Sequence, residues 1–131
     1  MKRSLFNTKQ EQNYKTPKKI IIDLEKEFGF LYDPCPLNND ITKYDGLKTN
    51  WFSPVFCNPP YNNISEWIKK IVEQYNKGVK PIILLCFVRT DTKYFHDLIM
   101  PCKPELRFIK GRLKFNNLNS APFPSMLVIF K

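Results

Sequence analysis

Residues 54–61 read Pro54-Val55-Phe56-Cys57-Asn58-Pro59-Pro60-Tyr61, an apolar run stopped by two successive prolines. Proline has no N–H to give to a sheet ladder, so a strand reaching Pro59 ends there and leaves Asn58 at its carboxyl end. Downstream, Asn63 and Glu66 have capping-box spacing, and Ile64, Trp67, Ile68, Ile71, Val72 and Tyr75 recur at helical period as far as Gly78. The next run, Ile82 to Val88, is apolar on both faces, as a central parallel strand is.

Working outward, the flanks extend the pattern. Thr16-Pro17 predicts a helix start, with Thr as cap and Pro at the first helical position, and Ile20, Ile21, Leu24 and Phe28 share one face before Gly29. A short strand, Phe30-Leu31-Tyr32, runs into Asp33-Pro34-Cys35-Pro36, and the polar stretch from 37 to 50 has room for at most one helical turn. After the central strand come a shorter helix from about Thr92 to Ile99, ending before Pro101, and strands over Leu106 to Ile109 and Met126 to Phe130. This order predicts an α/β fold, a mostly parallel sheet with helices on both faces. Ligands of such sheets sit at the carboxyl ends of strands, where both Asp33 and Asn58 fall.

Composition bounds the rest. A chain of 131 residues, 43% apolar and 15% aromatic, makes one domain that buries about two thirds of its unfolded surface. Residues 1–13 read as a flexible basic arm and 14–131 as the single domain. Lys and Arg outnumber Asp and Glu by 21 to 12, and the excess is clustered. Between Lys103 and Lys114 the only acid is Glu105, against Lys103, Arg107, Lys110, Arg112 and Lys114. Clustering of this kind predicts a polyanionic partner, most simply nucleic acid; a solvated lysine face is the plainer alternative. Cys35, Cys57, Cys86 and Cys102 have no metal-ligand or redox spacing and read as reduced core residues, and the single histidine, His96, gives a metal site or a catalytic triad little to stand on. No stretch approaches a membrane span.

Asn58-Pro59-Pro60-Tyr61 suits one chemical problem. The exocyclic amino group of adenine is a poor nucleophile because its lone pair is delocalised into the ring. Two acceptors aimed at its two protons would localise that pair, and Asn58 offers a side-chain carbonyl while Pro59 offers a backbone one. The prolines hold that backbone stiffly, and Tyr61 supplies a flat face for a base. An ordinary Asn-Pro turn is the competing reading.

The succession Tyr14-Lys15-Thr16-Pro17, Phe28-Gly29-Phe30 with Asp33-Pro34-Cys35, Asp45-Gly46-Leu47 with Trp51, Asn58-Pro59-Pro60-Tyr61 with Trp67, Arg89-Thr90-Asp91-Thr92, Gly111-Arg112-Leu113-Lys114-Phe115 and Ala121-Pro122-Phe123-Pro124-Ser125 resembles the phage-type DNA N-6-adenine methyltransferases, the Dam-like family. The resemblance spans residues 14–131. It implies a compact class I methyltransferase fold, Rossmann-like, with S-adenosylmethionine as donor, DNA adenine as acceptor, and a phage or prophage protein acting in the host cytoplasm. Carried over residue by residue, it gives Asn58, Pro59, Pro60 and Tyr61 the catalytic role and Thr16, Pro17, Asp33, Pro34 and Asp45 the cofactor, with Lys110, Arg112 and Lys114 as candidate DNA contacts. Each cofactor residue also has a local reading: Thr16 as a helix cap, Asp33 as a strand-end turn residue, Asp45-Gly46 as a tight turn. The chain departs from many adenine methyltransferases in having no glycine over Asp33 to Asn39. With no separate target-recognition domain, DNA contacts fall to the arm, the 37–50 loop, the basic region, or a second subunit of a homodimer. A nucleic-acid-binding module without the chemistry, and methylation of RNA or protein glutamine, are the alternative functions.

Overall fold

The computed structural model describes residues 15–37, 40–114 and 120–131. The expected arm over 1–13 lies outside the described residues, as does Phe115 of the basic segment. β1 (Val55–Cys57) and β2 (Ile82–Phe87) lie side by side in parallel, with Val55 opposite Ile82 and Cys57 opposite Leu84. Of the two later strands, β3 (Glu105–Phe108) and β4 (Ser125–Phe130), it is β4 that pairs with β2, antiparallel, and β3 pairs antiparallel with β4 at the edge. The sheet order is therefore β1-β2-β4-β3, a mixed sheet where the sequence predicts a mostly parallel one. A run apolar on both faces marks a central strand, and all six residues of β4 are buried, but such a run carries no information about direction.

The strand expected at Phe30 to Tyr32 shrinks to a single parallel bridge between Tyr32 and Val55. Tyr32 donates its N–H to the Pro54 carbonyl and accepts from Phe56, both at 2.9 Å, and Asp33-Pro34 then turns the chain away. That one bridge is enough to set Asp33 beside the carboxyl end of β1.

Helices cover both faces. α1 (Lys18–Phe28) lays Leu24, with Ile20, Ile21 and Phe28, on the face carrying Phe56, Ile83, Leu85, Leu127 and Ile129. α2 (Ile64–Asn76) buries Ile64, Trp67, Ile68 and Ile71 against the other face, on Val55, Cys57, Ile82, Leu84, Cys86, Val128 and Phe130. Alternation along each strand explains why one run serves two cores. The helix ends differ in detail from the sequence prediction. Pro17 is the residue before α1 and Thr16 does not cap it, while Asn63 precedes α2 without a side-chain capping bond. Gly29 ends α1 as expected, at φ 96°, with its N–H on the Glu25 carbonyl. The third helical segment becomes a π turn over Phe95–Ile99 followed by a 3-10 turn, Met100–Cys102, that takes in Pro101.

The 37–50 region contains the single turn expected of it, a 3-10 turn over Gly46–Lys48 capped by Asp45, whose Oδ1 accepts from the Leu47 N–H at 3.0 Å. This turn is strapped to the core. Trp51 donates its indole N–H to the Gly46 carbonyl at 2.8 Å and its backbone N–H to Gln74 Oε1 at 2.9 Å, and its ring stacks near Trp67. Gly46 sits so close to the Pro34 carbonyl that a Cβ there would lie 1.9 Å from the oxygen. The 45–51 segment is thus the backing of the Asp33-Pro34 turn.

Candidate active site

Asn58 follows the last residue of β1, and Asp33 follows the bridged Tyr32 on the neighbouring segment. Both open into one cavity of about 290 Å³, lined by Lys15, Thr16, Ile21, Glu25, Leu31, Asp33, Cys35, Leu37, Phe56 and Asn58. That volume stands near the lower end of small-molecule pockets, about 300–1,000 Å³. The fold thereby brings together three of the sequence-predicted residues, Thr16, Asp33 and Asn58, from stretches far apart in the chain.

Thr16 and Asn58 are bonded to each other: Asn58 Nδ2 donates to Thr16 Oγ1 at 2.9 Å. Thr16, displaced from the capping role, holds the amide instead. The bond to Thr16 fixes which way the amide nitrogen faces. Pro59 is buried and Pro60 half-buried, and Pro60 leads into a 3-10 turn over Tyr61–Asn63. Tyr61 lies flat on Phe87, ring centroids 4.3 Å apart and 8° between planes, and its hydroxyl accepts the Phe87 N–H at 2.5 Å. Phe87 in turn meets Phe123, over which the Arg89 guanidinium sits at 4.9 Å while pairing with Asp91. Two segments left without a role by the sequence, 89–92 and 121–125, therefore meet beside the Asn58–Tyr61 turn.

The electrostatics of the cavity are set by its acids. Burial raises the Asp33 carboxyl above the ordinary carboxylate range, opposed by the Cys35 N–H that its Oδ1 accepts at 2.8 Å. Desolvation, with the charges of Asp33 and Asp45 adding, pushes the Cys35 thiol up to about 12. Cys86 is pushed up to about 12 by burial, and Cys57 also rises. All of these thiols are protonated at neutral pH, so none is a ready nucleophile.

Other predicted residues take different places. Pro34 is buried under Gly46, Pro17 is half-buried beside Thr16, and Asp45 does not line the cavity but caps its backing turn. Of the basic cluster, Lys110, Arg112 and Lys114 are all exposed. Arg112 donates to the carbonyls of Ala121 and Pro122, at 3.3 and 2.8 Å, bracing that loop while keeping its charge. Arg107 is committed elsewhere, forked onto Glu27 of α1 at 2.6 and 2.7 Å and bonded to Glu105. Sequence reasoning missed Lys15 and Glu25. Glu25 is legible in retrospect, because it stands one turn after Ile21 on the α1 face that meets the cavity. Among the described residues no helix is long and apolar enough to cross a membrane.

A carboxylate, an amide and apolar walls are grouped where β1 and the bridged Tyr32 segment end, the edge of a sheet at which α/β folds place their ligands. The family profile described as DNA N-6-adenine-methyltransferase (Dam) matches residues 3–131, and the chain belongs to that family. Its reaction class is accordingly DNA adenine methylation, which requires a methyl donor and DNA as substrate. No curated protein and no solved structure matches the chain.

Proposed function

We propose that this protein transfers a methyl group from S-adenosylmethionine to the 6-amino group of adenine in DNA, with the base flipped out of the duplex against Asn58 to Tyr61. The observation that carries the reading is the Thr16–Asn58 hydrogen bond at the cavity wall, which orients the amide with its nitrogen toward Thr16. Asn58 Oδ1 and the Pro59 carbonyl each take one proton of the adenine amino group, drawing its lone pair out of the ring. The Tyr61–Phe87 stack gives the base a rigid aromatic neighbour. No general base is required, because the amine becomes acidic only after methylation and water accepts the proton.

When bound, S-adenosylmethionine supplies a methyl group made electrophilic by its sulfonium. The cavity matches the chemistry of that molecule: Lys15 suits its carboxylate, Asp33 and Glu25 its ammonium and ribose hydroxyls, and Ile21, Leu31 and Phe56 its adenine. Pro17 and Pro34 stiffen the two backbones bearing Thr16 and Asp33, and Asp45 serves the site through the turn it caps. We read the parallel Tyr32–β1–β2 ladder, with α1 and α2 on opposite faces, as the core of a compact class I methyltransferase sheet in a single domain. Duplex DNA is gripped through Lys110, Arg112 and Lys114, the chain or a homodimer of it supplying any site preference. A phage or prophage origin and action in the host cytoplasm fit this reading.

The test is transfer of labelled methyl from S-adenosylmethionine to an adenine-containing duplex, followed by digestion to nucleosides. Label in N6-methyladenine is the expected result; label in no nucleoside would overturn the proposal. The absence of glycine over Asp33 to Asn39 favours a second reading, the fold without the chemistry. Calorimetric titration with S-adenosylmethionine separates the two, since only the enzyme reading requires binding.

A further inference from the structure

We infer that the Tyr61 hydroxyl is a positioning group, which takes the Phe87 N–H that would otherwise draw the Pro59 carbonyl into the sheet. The register carries this. In the parallel pair, Val55 opposite Ile82 donates its N–H to the carbonyl one residue earlier, Pro81, at 3.1 Å. By the same geometry each such residue of β1 accepts from the residue one beyond its partner. Carried two residues past Cys57, which faces Leu84, the register sets Pro59 opposite Cys86 and makes Phe87 the donor to the Pro59 carbonyl. The Phe87 N–H points to that side, because the next one, Val88, turns to the Pro124 carbonyl on the β4 side at 2.8 Å, and N–H groups along a strand alternate. It nevertheless goes to Tyr61 Oη, at 2.5 Å.

The chemistry of the two prolines explains why the exchange holds. Pro59 has no N–H to return to the Leu85 carbonyl, so a further ladder step would be half made and β1 stops at Cys57. Phe87 still needs an acceptor, since a buried N–H left unpaired costs about 1–3 kcal/mol. Tyr61, held on Phe87 by ring stacking, brings its oxygen to that vacancy. The Pro59 carbonyl is thereby kept out of the sheet and in use as one of the two acceptors for the amino group. The catalytic half of this inference rests on the function proposed above; the backbone half does not.

The full chain, labelled with ¹³C and ¹⁵N, gives the direct test through scalar coupling across the hydrogen bond between the Phe87 nitrogen and the Pro59 carbonyl carbon. In the parent this coupling is absent, and its presence would overturn the inference without any variant. In Tyr61→Phe, which keeps the ring and its stacking, the coupling appears and kcat for adenine methylation falls ~100-fold, the scale of one lost preorganised polar contact. KM for DNA and affinity for S-adenosylmethionine stay near the parent's. A folded variant without the coupling, or one with the coupling and an unchanged kcat, would overturn it. A parent that methylates no adenine removes the proposed function and the catalytic half with it, while the coupling, which needs no substrate, still decides the ladder.

Discussion

Thr16 shows how much a single residue's role depends on what the fold sets across from it. At a helix start it reads as a cap, yet its hydroxyl is bonded to Asn58 at 2.9 Å, 42 residues away in sequence. Asn58→Ala removes the acceptor proposed for the adenine amino group and is expected to lower kcat ~100 to 1000-fold, cofactor binding being largely kept. Thr16→Val keeps the shape and removes only the hydrogen bond, so it should cost about tenfold, in line with ~0.5–1.5 kcal/mol for a neutral hydrogen bond. Steady-state kinetics on an adenine-containing duplex measure both; near-parental turnover by Asn58→Ala would remove the assignment. Asp33 adds a pH dependence. Its pKa is raised by burial, so on acidification it takes up a proton at higher pH than the ordinary ~3.9. A bound cation favours the ionised carboxylate, and affinity for S-adenosylmethionine should therefore fall as pH drops through that raised value. Asp33→Asn should bind more weakly at neutral pH and lose this acid limb, which titration calorimetry across pH would reveal.

At the scale of elements, the Asp33-Pro34 turn, closed locally by the Cys35 N–H on Asp33, is also held from behind by the Gly46–Lys48 turn. Gly46→Ala would drive a methyl group against the Pro34 carbonyl, which as backbone cannot swing away. Overpacking of this order costs about 1–3 kcal/mol. The expected outcome is a lower melting temperature together with weaker cofactor binding, although Gly46 does not line the cavity; a variant as stable as the parent would show the contact to be relaxed in solution. The α1–β3 junction is electrostatic. Arg107 holds the Glu27 carboxyl below its usual range and, with Lys131, holds Glu105 at about 2. Both folded-state values are depressed, so their contribution to stability is complete above the unfolded carboxylate value of ~4.3 and is lost as pH falls toward the folded values. Arg107→Gln should flatten the acid limb of the stability–pH curve, followed by thermal melts between neutral and acid pH.

For the whole molecule the question is how a +9 chain grips a polyanion. Arg107 is neutralised by two acids, which removes it from the cluster, whereas Lys110, Arg112 and Lys114 are exposed, Arg112 also bracing two carbonyls through Nη1. Lys110→Ala with Lys114→Ala should flatten the log–log salt dependence of duplex binding by about two units, each phosphate contact contributing a slope of about −0.9. Cofactor affinity should not change. Parental affinity and slope in this double variant would make the cluster a solvated face and move the DNA contacts elsewhere.

Local chemistry decided a great deal. The unbroken apolar run of β2, the helical period of α2, the stop at Pro59-Pro60 and the turn at Asp33-Pro34 are written in consecutive residues, because proline, glycine and side-chain periodicity act over a few positions. The end positions of Asp33 and Asn58 are legible in the same way, while their meeting at one cavity belongs to the fold. What tertiary structure alone decided are the matters of partner and direction: β4 entering antiparallel between β2 and β3, Thr16 leaving its cap for Asn58, Arg107 leaving the basic cluster for Glu27, and the Tyr61 hydroxyl reaching Phe87. Each is a contact between segments distant in sequence. Such a contact is selected by competition among acceptors and charges that meet only after the chain has closed, and no local pattern records its outcome.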